Sequence, residues 1–120
     1  MKVAITSSGN DLMADIDPRF GRAENFIIVD SETMEFIVVE NTQNLNLPQG
    51  AGIQAAKTIV DQKAEVLITG NCGPKAFKIL NKVAIKIIVG AKGRVIDALQ
   101  QYKNNELQPT DSANVEGHWV

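Results

Sequence analysis

The chain has 120 residues, of which 44% are hydrophobic and 22% charged, a composition that fits one globular domain and excludes a disordered or fibrous chain. Its 12 basic and 14 acidic side chains give a formal net charge of −2, so there is no electrostatic reason to expect nucleic acid or an anionic membrane as the main partner. One cysteine cannot form an internal disulfide, and no stretch reaches the roughly 20 apolar residues of a membrane span. The N-terminal MKVAIT turns polar too early for a signal peptide. We therefore expect a cytoplasmic protein.

The first half of the chain predicts three strands and a helix. A short strand begins at Val3–Ile5, and the continuous apolar run Phe26–Val29 is typical of a strand covered on both faces. The next strand, Phe36–Val39, follows after a link that is short enough only for an antiparallel hairpin. From Gly52 onward the spacing becomes helical, with apolar residues at Ile53, Ala56 and Val60.

The second half alternates strands and helices. Strands are predicted at Val66–Ile68 and Ile85–Val89, and helices begin at Pro74, which suits a first helical turn, and after Gly93. Short links between such elements imply parallel strands with right-handed crossovers. The sequence thus predicts a single α/β domain over residues 1–103, followed by a polar C-terminal tail over residues 104–120.

The element order βββαβαβα determines the expected architecture. A hairpin-paired start followed by two crossover units gives a five-stranded mixed sheet with helices on both faces and one antiparallel strand, the second. This is the three-layer α/β/α arrangement of ribonuclease-H-like folds. Such folds host many functions, so the function has to be argued from a site.

The only cysteine lies in ITGNCGPKAF, residues 68–77, just before a predicted helix. The helix dipole at that position favours a thiolate, and the backbone N–H groups of a helix start form a natural anion site. Cys72, with Asn71 and Gly73, is therefore a candidate for part of a labile cluster site whose remaining ligands come from elsewhere. The alternative is that Cys72 is a small, partly buried residue at a tight turn.

A second candidate is DPRFGRA, residues 17–23. Arg19 and Arg22 flank a glycine turn and could bind one anion from two sides, since the guanidinium group donates two parallel hydrogen bonds. The alternative is a structural loop in which Phe20 enters the core. The two arginines would then pair with nearby carboxylates, at Asp15, Asp17 or Glu24.

The polar run TSSGND after the first strand is a third candidate. Ser7, Ser8 and Gly9 could surround a phosphate, although FMN is not expected because no helix begins there. The TSSG and NCGP loops both follow the carboxyl ends of parallel strands, the edge at which open α/β sheets bind ligands. We therefore expect the two loops to face one crevice.

Three remaining features have weaker functional interpretations. The glycine turns GAG (50–52) and GAKG (90–93) mostly indicate helix caps, with a ligand role as the alternative. His118, in the tail motif EGHW, is the only imidazole in the chain and hence a candidate metal ligand. The alternative is a hydrophobic latch or a disordered end.

Four motifs in order carry a family resemblance: DPRFGRAENFIIVD (17–30), GAGIQAAK (50–57), AEVLITGNCGPKAFKIL (64–80) and GAKGRVIDAL (90–99). With them the chain resembles the dinitrogenase iron–molybdenum cofactor biosynthesis family, as a small stand-alone member. The resemblance implies a ribonuclease-H-like fold and a carrier or chaperone of iron–sulfur or related metal–sulfur clusters. It also implies a cluster-assembly or cluster-accepting protein as partner.

No catalytic constellation emerges from the sequence. A metal-dependent nuclease needs converging carboxylates, one of them on the first strand, and KVAITS has none. A Ser–His–Asp triad would need His118, and NCGPKA lacks the spacing of a phosphate-binding Walker loop. We expect a non-enzymatic binding protein, monomeric or weakly dimeric. The alternatives are a phosphate- or nucleotide-binding regulatory module and a ligand-free interaction module that uses the edge strand Phe36–Val39.

Overall fold

Three strands come first and two helix-containing crossovers follow, in the predicted order βββαβαβα. The computed structural model describes residues 1–44 and 46–115. Its strands and helices are β1 (Lys2–Ser7), β2 (Asn25–Asp30), β3 (Phe36–Glu40), α1 (Ala51–Asp61), β4 (Val66–Ile68), α2 (Pro74–Lys82), β5 (Lys86–Ile88) and α3 (Val95–Lys103). One short 3-10 turn, Thr42–Asn44, was not indicated by the sequence pattern.

The five strands form one mixed sheet in the order β3-β2-β1-β4-β5. β2 pairs antiparallel with both β1 and β3, whereas β1–β4 and β4–β5 pair in parallel. The prediction of a mixed sheet with the second strand antiparallel is confirmed, while the ribonuclease-H-like class stays a prediction. Because β1, β4 and β5 run in parallel, their carboxyl ends meet at one edge of the sheet, and the loops that follow them lie close together.

Strand residues alternate between two core clusters, one on each face of the sheet. On one face, α1 and α2 cover Ala4, Leu67 and Ile87, and we call this cluster the α1/α2 core. On the other face, α3 covers Val3, Ile5 and Ile68, and we call this cluster the α3 core. The continuous apolar runs of β1, β2 and β4 follow from this double coverage.

Beyond α3 the chain stays on the surface of the domain as far as it is described. Asn105 takes a positive φ of 61° and turns the chain back, so that Leu107 packs against the α3 core. The Thr110 N–H then donates to the carbonyl oxygen of Ile87 in β5 at 2.7 Å. Within residues 1–44 and 46–115, no helix is long and apolar enough to cross a membrane.

Candidate functional site

Two loops are joined at the edge of the sheet where the parallel strands end. The Phe20 N–H donates to the Asn71 carbonyl oxygen at 3.1 Å, and the Asn71 side-chain amide donates to the Pro18 carbonyl oxygen at 2.9 Å. At Gly70 an added Cβ would lie only 2.7 Å from that same Pro18 oxygen. Glycine at position 70 therefore permits a backbone contact that any side chain would prevent. Asn71, a predicted ligand-binding residue, forms hydrogen bonds here that join the two loops.

The loop that carries the two arginines also contacts the start of α1. A Cβ at Gly21 would lie 2.7 Å from the backbone nitrogen of Gly52. The side-chain amide of Asn41, a fully buried residue, donates to the carbonyl oxygens of Gly21 and Ala23 at 3.0 and 2.8 Å. The loop is thus held between the first turn of α1 and the segment that follows β3, with Arg22 between the two carbonyls bound by Asn41.

A pocket of about 230 Å³ opens between the first turns of α1 and α2. We call it the helix-start pocket, and it is lined by Arg22, Pro48, Gln49, Gly50, Ala51, Gly52, Ile53, Gly73, Lys75 and Ala76. The lining combines two helix beginnings with one loop arginine. It is therefore built from segments that are distant in sequence and meet only through the packing described above.

The first turns of both helices line this pocket. Gly50, with a φ of 83°, precedes α1, and Gly73 precedes α2. Among the described residues, no side chain forms an N-terminal capping hydrogen bond to either helix. The first N–H groups of a helix have no partner within the helix, and the helix dipole places partial positive charge at that end. Two such ends facing one pocket make it favourable for an anion.

Two cationic side chains add to this field. Arg22 is partly buried and donates from Nη1 to the Asn44 carbonyl oxygen at 3.4 Å, while Lys75 is exposed in the first turn of α2. No acidic residue is among the described residues that line the helix-start pocket. The pocket is therefore locally positive in a chain whose net charge is −2.

The environment of Cys72 corrects the expectation of a thiolate. The residue is 0% exposed and belongs to the α1/α2 core, with its Sγ 3.7 Å from the Gly73 carbonyl oxygen. Burial raises the pKa of the thiol to about 12, so desolvation outweighs the helix dipole that was expected to lower it. Its amide also has a partner, since the Cys72 N–H donates to Asn114 Oδ1 at 2.8 Å. The thiol does not line the helix-start pocket, whereas its neighbour Gly73 does.

Arg19 and Arg22 do not converge on one anion in this structure. Arg19 is exposed, and its Nε lies 4.0 Å from Asp17 Oδ1, while the Asp17 carboxylate also accepts from the backbone N–H groups of Arg19 and Glu24. Phe20 is fully buried in the α1/α2 core, as the alternative interpretation of this loop predicted. Of the two arginines, Arg22 lines the pocket and Arg19 does not.

Ser7, Ser8 and Gly9 lie apart from the helix-start pocket and pair within their own loop. The Ser7 hydroxyl donates to the Gly9 carbonyl oxygen at 3.0 Å, and the Ser8 hydroxyl donates to the Asp15 carbonyl oxygen at 3.2 Å. The rest of that loop packs against the start of α3, where the Val95 N–H donates to the Ala14 carbonyl oxygen. We expected the TSSG and NCGP loops to face one crevice. The helix-start pocket is not that crevice, since no TSSG residue lines the pocket.

The family model described as "Dinitrogenase iron-molybdenum cofactor" matches residues 1–105 of this chain. The chain belongs to this family. A relative in Methanocaldococcus jannaschii, an uncharacterised protein, is 28% identical over 111 residues, which are 90% of each chain.

Solved structures agree with this assignment. The apo form of the orange protein from Desulfovibrio gigas is 37% identical and superposes with a TM-score of 0.92, covering 95% of this chain and 96% of the other. An NMR structure of a candidate NifB protein from Thermotoga is 34% identical with a TM-score of 0.82, covering 97% and 98% of the two chains. The α/β fold with its mixed sheet is thus shared with other proteins over nearly its whole length.

Sequence reasoning missed several residues that build the pocket of this dinitrogenase-cofactor family member. Pro48, Gln49, Ile53 and Lys75 line it and were not among the candidates. The glycine turn GAG was predicted mainly as a cap, yet its residues 50–52 form one wall. A usable signal was present, because glycine-rich turns precede both helices and one of them is followed by a lysine in the first turn.

Coordination of a metal by side chains gains no support from the part of the chain that is described. No group of three or more histidine, cysteine, aspartate or glutamate residues there could hold a metal ion. His118 lies outside the described residues. The donors at the helix-start pocket are backbone N–H groups, a guanidinium and an ammonium, which suit an anion rather than a bare cation.

Proposed function

We propose that this member of the dinitrogenase iron–molybdenum cofactor family is a non-enzymatic accessory protein of the cytoplasm that holds an anionic metal–sulfur cluster as cargo. The cargo is of iron–sulfur or iron–molybdenum type, and the protein exchanges it with a cluster-assembly or cluster-accepting protein. The observation that carries the proposal is the helix-start pocket, in which two helix beginnings, Arg22 and Lys75 surround a space with no acidic residue among its described lining.

The size of the pocket favours a compact cargo. Its volume is about 230 Å³, below the ~300–1,000 Å³ of pockets that enclose drug-sized ligands. A nucleotide would extend well beyond it, whereas the inorganic core of a cluster is compact, and the thiolates that ligate the core can project out of the pocket. The size of the pocket and the charge around it thus favour a cluster over the nucleotide of the alternative hypothesis.

The donor set supports binding without exchange of the cargo's own ligands. Metal–sulfur clusters held by proteins usually take four thiolate ligands, and the pocket lining supplies neither thiol nor imidazole among its described residues. Amide and cationic donors instead form hydrogen bonds to the sulfur atoms and balance the charge of an intact cluster. A cargo bound in this way can be released without breaking metal–ligand bonds, which is what a carrier requires.

Anaerobic titration with a preformed, thiolate-ligated iron–sulfur cluster anion tests this function. We expect the visible absorption of the cluster to co-elute with the protein in gel filtration at low salt and to be lost as salt is raised, because surface charges are screened. The Lys75→Gln variant should bind at least about ten-fold more weakly, since one charge-assisted hydrogen bond contributes roughly 1.5–3 kcal/mol.

Lys78→Gln is the matched control, because it removes the same charge from the same helix at an exposed position outside the pocket. It should bind like the unaltered protein. Cys72→Ser should also retain binding, since the thiol is buried away from the pocket. Equal affinity in the two lysine variants, or loss of binding only in Cys72→Ser, would contradict the proposal.

A further inference from the structure

Residues 110–115 cross the surface of the domain and attach to the loop that contains Cys72. We call this segment the strap. Its first residue is fixed by the bond from the Thr110 N–H to the Ile87 carbonyl oxygen at 2.7 Å, at the outer strand of the sheet. A turn follows, in which the Thr110 hydroxyl donates to the Ser112 carbonyl oxygen at 3.0 Å. The chain then reaches the loop between β4 and α2.

Asn114 makes a reciprocal set of hydrogen bonds with that loop. The Cys72 N–H donates to Asn114 Oδ1 at 2.8 Å, and the Asn114 N–H donates to the Cys72 carbonyl oxygen at 3.2 Å. The Asn114 side-chain amide donates to the Gly70 carbonyl oxygen at 3.3 Å and to Asn71 Oδ1 at 3.1 Å. The side chain of Asn114 thus binds the Cys72 N–H and the Gly70 carbonyl oxygen, while its backbone N–H binds the Cys72 carbonyl oxygen. An asparagine side chain supplies both the donor and the acceptor that the first two bonds require.

The strap is attached by hydrogen bonds and not by core packing. None of its six residues belongs to the α1/α2 core or the α3 core or packs against either, and the nearest residue along the chain that does so is Leu107. Every strap residue is exposed or partly exposed. Segments with few buried apolar contacts and solvent-exposed hydrogen bonds open at much lower free energy than the whole domain unfolds.

Cys72 shows the opposite features, since it is 0% exposed and packed in the α1/α2 core. Its loop is bounded by Gly70, which touches Pro18, and by the first turn of α2. Release of Asn114 would leave the Cys72 N–H and carbonyl without their only partners that the structure describes, so the loop would gain partners by turning toward water.

We propose that the strap is a conformational latch: it opens independently of the rest of the fold, and its release gives solvent access to Cys72. In the closed state the thiol is shielded and the loop that begins α2 is fixed. In the open state the thiol becomes available to oxidants and to thiol reagents. This inference does not depend on what the helix-start pocket binds, because the latch is defined by contacts within the chain.

The rate at which Ellman's reagent modifies Cys72, measured over a range of urea concentrations below the unfolding transition, tests the latch. Local opening exposes little surface, so we expect the rate in the unaltered protein to be nearly independent of urea. Asn114→Ala should accelerate modification by about ten-fold or more, since several hydrogen bonds that hold the closed state are lost. Thr110→Pro, which removes the other attachment, should also accelerate it.

Gln108→Ala is the control, because that side chain is exposed and donates only to the Asn105 carbonyl oxygen outside the strap. It should be modified at the unaltered rate. The urea midpoint of unfolding, followed by circular dichroism, separates the latch from general loss of stability. The latch is overturned if Asn114→Ala and Thr110→Pro react no faster than the control. It is equally overturned if every rate rises with urea in parallel with global unfolding.

Discussion

Asn41 fixes the loop that carries Arg22 to the helix-start pocket. It is fully buried, and its side-chain amide donates to the carbonyl oxygens on either side of Arg22. Its Oδ1 accepts a short hydrogen bond of 2.6 Å from the side chain of Asn44, whose own carbonyl oxygen accepts from the Arg22 guanidinium. The backbone on either side of Arg22 and the Arg22 side chain are thus held by the same pair of asparagines.

Replacement of Asn41 should show how much this pair of asparagines contributes to the free energy of unfolding. We expect Asn41→Ala to lower the free energy of unfolding by about 2 kcal/mol, because two buried carbonyl oxygens and the Asn44 amide lose their partner. Urea unfolding followed by circular dichroism measures the change. Gln43→Ala, at an exposed position of the same 3-10 turn, should change stability by less than about 0.5 kcal/mol. Equal stability of the two variants would show that the asparagine pair is dispensable.

Cys72 should make the stability of the fold depend on alkaline pH. Burial raises its pKa from 9.0 to about 12, so above pH 9.0 the unfolded chain loses a proton that the folded chain retains. The stabilisation that this provides is complete below pH 9.0 and is lost as the pH rises toward 12. The slope approaches about 1.4 kcal/mol per pH unit for one proton.

The comparison with Cys72→Ala isolates this effect, since other groups titrate equally in both proteins. The free energy of unfolding of the unaltered protein, minus that of the variant, should be constant below pH 9.0 and should fall above it. A difference that stays flat into the alkaline range would mean that the thiol ionises in the folded state as readily as in the unfolded chain.

At the scale of elements, glycine determines how closely the loops approach each other. Gly70→Ala should destabilise the protein by roughly 1–3 kcal/mol, because its Cβ would lie 2.7 Å from the oxygen and 2.8 Å from the Cα of Pro18. Gly52→Ala serves as the comparison, since its Cβ would make an ordinary contact of 3.4 Å with the Ala76 Cβ. Thermal unfolding should show a lowered Tm for the first variant and little loss for the second. A similar loss for both would argue against the backbone contact.

The strands and the 3-10 turn show which elements sequence patterns could predict and which they could not. Strand β4 was predicted with its observed bounds and β2 within one residue at each end, because continuous apolar runs follow from coverage on both faces. Strand β3 was also predicted within one residue at each end, although its residues are exposed or partly exposed at the sheet edge. The turn Thr42–Asn44 carries no apolar periodicity, and it forms through the buried asparagine pair, a tertiary contact. Local pattern contains no information about such a contact.

At the scale of the whole molecule, the site depended on the packing of separate loops. The sequence predicted a site at the sheet edge that includes the NCGP loop, and of the predicted residues Gly73 and Arg22 line the helix-start pocket. It left two interpretations of Cys72 open, part of a cluster site or a small, partly buried residue at a turn, because the burial of this residue depends on how α2 packs onto α1 and the sheet. Hydropathy could not show this, since cysteine occurs in cores and in sites alike.

The charge distribution likewise becomes visible only in the folded chain. The net charge of −2 gave no reason to expect an anion-binding protein. Folding nevertheless brings Arg22 and Lys75 to two helix beginnings, in a pocket with no acidic residue among its described lining. A local field of this kind, not the total charge, determines which ligand a site accepts.

Backbone amide NMR during anaerobic titration with a thiolate-ligated iron–sulfur cluster anion tests this account most directly. We predict that the signals of residues 50–53 and of Lys75 and Ala76 shift or broaden first and most strongly, because these amides begin the two helices that face the pocket. Signals of Ser8 and Gly9, in the loop against α3, should change little. Perturbation centred on that loop, or no perturbation at the two helix beginnings, would contradict the account.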